Sequence, residues 1–188
     1  MSSELSEQDK KTLLKIARDT IESYTRSGEK PALPDPLPDS LSGENGAFVT
    51  IHKKGSLRGC IGNFVGQGPL AATVQNMALA AGWEDPRFPP LAESELKDID
   101  IEISVLSPLR EINSVDDIEV GKHGIYITKG MYRGVLLPQV AVEQGWDRDT
   151  FLSQTCVKAG LPPDAWKNRE LKIEIFSADV FGEEELKK

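Results

Sequence analysis

Apolar residues recur along the first part of the chain at intervals of three and four. Leu13, Ala17, Ile21 and Tyr24 share one face of a helix at that spacing. Ser6, with Asp9 three positions on, makes a capping-box start, and Gly28 supplies the left-handed residue that ends helices, so a helix is predicted over 6–27. Lys30 to Asp39 then carries four prolines, which forbid a helix and predict an extended crossing whose leucines lie against the body. From Ala47 the period drops to two. Residues 47–52 and 56–64 read as strands of a hairpin joined through Lys53-Lys54-Gly55. Pro69 opens a second helical stripe of Leu70, Val74, Met77, Ala78 and Ala81 ending near Gly82, and Trp83 to Leu91 reads as an ordered loop.

The later pattern is mostly strands. Ile99, Ile101, Ile103 and Val105 alternate with Asp98, Asp100, Glu102 and Ser104, as a half-buried strand does. Residues 124–128 and 132–137 read as a second hairpin around Lys129-Gly130. Pro138 to Gln144 reads as a short helix closed by Gly145, and Asp147 caps another that runs to Lys158. Residues 170–175 alternate again, with Leu171, Ile173 and Ile175 inward. Strands in hairpins with helices inserted between them predict an α+β protein, a mostly antiparallel sheet flanked by helices. One domain is expected over 1–188, with the proline-rich crossing at 30–45 inside it.

Composition narrows the function classes. The densest apolar run, Met77 to Trp83, is seven residues, far short of the roughly 18 needed to span a bilayer. The opening residues lack the layout of a signal peptide, so a soluble cytoplasmic protein with no membrane partner is expected. Thirty acidic residues against 22 basic ones give a net charge of −8, a poor balance for neutralising phosphates, so nucleic acid is not expected as a partner. His52-Lys53-Lys54 with Arg58 is the nearest basic cluster, and it reads as a solvated edge. Cys60 and Cys156 stand far apart with no zinc-ligand spacing around them, so neither metal nor cofactor is expected.

Four segments carry candidate chemistry. In Leu57-Arg-Gly-Cys-Ile-Gly62, residues two apart on a strand share a face, so Arg58 and Cys60 project together. A guanidinium beside a thiol favours the thiolate, the reactive form. Gly59 and Gly62 leave room for a ligand or another backbone; equally, Cys60 reads as a small buried hydrophobe and the glycines as packing relief. In the proline-stiffened segment 83–90, Glu84, Asp85 and Arg87 can hold a substrate or a proton, or Asp85 and Arg87 can simply pair. His123, within Gly121-Lys-His-Gly124, offers an imidazole for proton transfer or a turn residue bonded to backbone. Glu143 and Trp146 in segment 136–147 read more simply as a proline-started helix with an aromatic anchor. Nucleotide-binding, serine-hydrolase and zinc-protease signatures are absent.

These segments, in this order, resemble the AMMECR family, component A of the AmmeMemoRadiSam system, in its archaeal and bacterial form. The motifs are LRGCIG at 57–62, DPRFPP at 85–90, GKHGI at 121–125 and LLPQVAVEQGWD at 136–147, and the likeness runs from Leu13 to Phe181. The resemblance implies an α+β body with a smaller second lobe. It also implies a shared pathway with a Memo-type protein and a radical S-adenosylmethionine protein, without naming a reaction or small-molecule substrate. It carries Arg58 and Cys60 onto the family motif, with Arg87 and His123 in the other matched segments. Two readings stand: a thiol-dependent enzyme or accessory subunit using Arg58, Cys60 and His123, with Glu84, Asp85, Arg87, Gly59 and Gly62 around a substrate; or a non-catalytic interaction component. A role around RNA or translation is a third, against which the acidic balance counts.

Overall fold

The computed structural model describes residues 4–187. Helix α1 spans Glu7–Ser27, where Ser6 Oγ accepts from the Asp9 amide at 3.1 Å and Asp9 accepts from the Ser6 amide at 3.0 Å. Gly28 closes it at φ 72°, a conformation a side chain would strain. The chain folds as two compact units. The first runs to Leu106 and resumes at Asp179; the second is Ser107–Ala178.

In the first unit, β1 (Asn45–Lys53) and β2 (Ser56–Val65) form a hairpin whose two turn residues, Lys54 and Gly55, both have positive φ. Strand β3 (Ile99–Leu106) pairs antiparallel with the other side of β1. Between β2 and β3 the chain makes α2 (Leu70–Trp83), so Trp83 belongs to a helix end and not to the following loop. Its ring meets Tyr24 edge-on at 4.8 Å. The core lies between α1, α2 and the inward residues of the sheet: Val49, Ile51, Ile101 and Ile103 are fully buried among Leu13, Ile21, Val74 and Ala78. The proline-rich crossing lies against this core through Leu33 and Leu37, as its leucines predict.

In the second unit, β5 (His123–Lys129) pairs with β6 (Tyr132–Leu136) and with the first part of β7 (Lys172–Gly182, of which residues from Asp179 belong to the first unit), while a two-residue β4 (Arg110–Glu111) joins the other side of β7. Helices α3 (Pro138–Gln144) and α4 (Arg148–Lys158) complete it, and α5 (Glu183–Leu186) follows β7 in the first unit. Strand β7 extends seven residues past the predicted end. The period-two signal fails there because Phe176 is buried on the opposite face, its ring filling the space above Gly124, its cross-strand partner. Strand β1 runs antiparallel to β2 and β3, as β7 does to β4 and β5, and β5 to β6, so the chain is α+β with an antiparallel sheet and flanking helices. No helix among the described residues is long and apolar enough to cross a membrane.

Candidate functional site

Unbroken alternation would put Arg58 and Cys60 on one face, but β2 breaks register between them. Ile51 pairs with Gly59 and His52 with Leu57, so Arg58 is the extra residue of a bulge, a place where a strand re-aims a side chain. Its guanidinium pairs with Glu95, with Nε to Oε1 and Nη2 to Oε2 both at 3.0 Å. Nη2 also donates to the Pro89 carbonyl at 2.9 Å, and the Phe88 ring lies 5.8 Å from the guanidinium. Arg58 is buried. Glu95 takes a further bond from Lys53 Nζ at 2.8 Å, and these cations, Arg58 foremost, pull its carboxyl down to about 2.

Cys60 is held through its backbone. Its amide donates to Asp85 Oδ2 at 3.0 Å, and Asp85 is buried, accepting also from the Arg87 amide, Nε and Nη2 at 3.1, 2.9 and 2.7 Å. The Arg87 guanidinium beside it holds the Asp85 carboxyl well below the usual carboxylate range. Arg87 itself is half exposed, its own pKa raised first by Asp85 and in smaller part by the charge of Cys60. The carboxylate that holds the Cys60 amide is therefore paired with Arg87, not with Arg58. Cys60 is partly exposed, and its sulfur accepts from Thr50 Oγ1 at 3.2 Å. Thr50 pairs on its other side with Glu102, whose carboxyl burial pushes up, so Cys60, Thr50 and Glu102 form a row across three strands.

The remaining predicted residues fall outside this arrangement or fill it. A Cβ on Gly59 would sit 2.0 Å from the Ala81 carbonyl, so that glycine admits the backbone of α2. Above Gly62 the space belongs to the Phe48 ring, 2.2 Å from where a Cβ would be. Both close approaches are filled by the protein itself. Glu84 caps α2 at an exposed position. His123 lies in the second unit, where its Nδ1 accepts from the Glu119 amide at 3.0 Å; burial first, then Lys122, lowers its pKa. It opens strand β5, with its ring bonded to the backbone of the turn that precedes it. The three cations of the basic cluster are all paired: Lys53 and Arg58 share Glu95, and Lys54 meets Asp98. Cys156 is fully buried and burial pushes its thiol up, which marks it as inert.

Sequence reasoning misses Glu95, Thr50 and Glu102. No spacing rule connects Glu95 with Arg58, thirty-seven positions away. Glu102 reads as the solvent side of a strand, yet it is half-buried and its neighbour Ser104 is buried. Chemically, the site is an edge strand clamped by one buried and one half-buried carboxylate, presenting a partly exposed cysteine whose sulfur meets a hydroxyl.

The class is thus an antiparallel α+β protein with a thiol on a clamped edge strand. The chain belongs to the AMMECR1 family, whose model matches residues 14–181. It is 46% identical over 186 residues to a protein of Methanothermobacter thermautotrophicus, covering 96% of this chain and 97% of that one. It is 44% identical over 182 residues to a protein of Thermococcus onnurineus, covering 92% and 89%. The crystal structure of an uncharacterized protein from Pyrococcus horikoshii is similar, with a TM-score of 0.82 and 40% identity over 92% of this chain and 90% of that one.

Proposed function

We propose that the chain is a thiol-dependent enzyme or an accessory subunit of one, with Cys60 as the reactive group, working with a Memo-type and a radical S-adenosylmethionine protein. One observation supports this above the others. The backbone of Cys60 is fixed by a buried, fully bonded Asp85, while the residue stays partly exposed with its sulfur against the Thr50 hydroxyl. A rigid backbone under an accessible sulfur is what a nucleophile needs, because orientation is set before the substrate arrives. Arg87, half exposed on the carboxylate that anchors the Cys60 amide, is free enough to receive an anionic substrate group. Arg58 is a positioning residue in this reading: through Glu95 and Pro89 it holds the loop that carries Asp85 and Arg87. Glu84 stands at the exposed rim as a proton carrier.

The test is reconstitution of the three proteins with Cys60→Ser. The variant is expected to fold normally and remove the activity; retained activity excludes a nucleophilic Cys60. A second reading, a docking component, is favoured by Leu57, which opens the motif, and Val65, which ends edge strand β2, both exposed. Co-elution with either neighbour that Leu57→Lys abolishes and Cys60→Ser leaves intact would favour that reading. Arg58→Glu is unsuitable there, since it would bury a carboxylate against Glu95.

A further inference from the structure

Away from the thiol, α1 and the proline-rich crossing enclose a recess of about 230 Å³. Its inner end is sealed by Gln75 of α2, whose Nε2 donates to the Pro31 carbonyl at 2.8 Å and to Thr20 Oγ1 at 3.3 Å. Ile16 and Leu33 line its walls, with Pro31 and Pro34, and Lys11 and Lys15 stand among its polar lining. Prolines hold their backbone extended without side-chain ordering, so the wall exists before any ligand arrives. The volume is roughly one and a half times the ~150 Å³ of a cavity that takes up benzene. That is room for a small apolar body and not for a nucleotide.

The polar groups decide the class of ligand. Lys15 is already bound to Asp19 at 2.6 Å, whereas Lys11 has no ion-pair partner among the described residues. The charged lining is Lys11, Lys15 and Asp19, and with Lys15 paired to Asp19 the surplus charge is the positive one on Lys11, which favours an anion locally although the chain as a whole is acidic. One lysine gives a single point of positive charge, while a phosphate group is held by several donors at once. We infer that this recess binds a small monocarboxylic acid with an apolar body, the body between α1 and the proline segment and the carboxylate at Lys11. The site is independent of Cys60 and of the function proposed for it.

The experiment is amide-resolved NMR titration of the full chain with hexanoate, hexan-1-ol and acetate. Hexanoate is expected to give saturable shifts in α1 and residues 31–34, tighter than either of the other probes, which carry the apolar body or the charge alone. Lys11→Glu is expected to weaken hexanoate by about fivefold or more, the scale of an exposed charge interaction. Ala32→Trp is expected to abolish the shifts by filling the recess, and Thr12→Phe does the same from the helix side if the first variant does not fold. No saturable shift, equal affinity for hexan-1-ol, or hexanoate affinity unchanged in Lys11→Glu would each overturn the inference.

Discussion

At the scale of single residues, the motif LRGCIG divides its labour in a way that composition does not reveal. Its glycines are packing positions, and Gly59 is the stricter one because its obstacle is the backbone carbonyl of Ala81, which cannot rotate aside. Gly59→Ala is therefore expected to destabilise the protein by about 2 kcal/mol or more through forced separation of α2 from β2, checked by urea unfolding. Asp85→Asn tests the clamp itself. It keeps the shape but removes the charge that balances Arg87, and an amide nitrogen replaces one carboxylate oxygen, setting a donor against donors. A loss of about 2 kcal/mol is expected, with faster alkylation of Cys60 as its anchor loosens. Unchanged stability in that variant would mean the bidentate pair is screened by water and does not hold the loop.

At the scale of elements, the segment from Glu84 to Asp98 seals the edge of β2 with charge. Both carboxylates in the seal titrate below their ordinary range: Asp85 through Arg87, and Glu95 from 4.5 to about 2 through Arg58. A depressed carboxylate contributes its stability fully above the unfolded value and loses it as pH falls toward the folded one. The first unit is thus expected to weaken between about pH 4.5 and 2, by up to about 3 kcal/mol from Glu95 alone. Glu95→Gln should be less stable at neutral pH and show a flatter acid limb; equal slopes in the two proteins would count against the pairing. This clamp also marks where the sequence stops being legible. Helix α1, the hairpin turn at Lys54-Gly55, the proline start of α3 and the capped start of α4 follow from local spacing, because their signals lie within a few residues. The bulge at Arg58 and the partner Glu95 do not, since a register slip and a contact across thirty-seven positions leave no periodic trace. The far half of β7 is hidden differently, with Phe176 buried against Gly124 on the face that alternation assigns to polar residues.

At the scale of the whole molecule, the two cysteines report on the two compact units separately. Cys60 belongs to the first unit and Cys156 to the second, where it is fully buried in a core with Phe151, Leu152 and Ile127. A buried thiol reacts only when its surroundings open, so its labelling rate measures that opening, while a surface thiol reacts from the folded state. Mass-resolved alkylation under native conditions is therefore expected to modify Cys60 well before Cys156. Adding urea below the main transition should accelerate Cys156 and leave Cys60 nearly constant, since Cys60 needs no unfolding to react. If Cys60 were instead as slow as Cys156 and sped up with it, its sulfur would be protected by the fold. The row from Cys60 through Thr50 to Glu102 would then be part of the packing of β1, β2 and β3, and the docking reading built on Leu57 and Val65 would take precedence over the thiol.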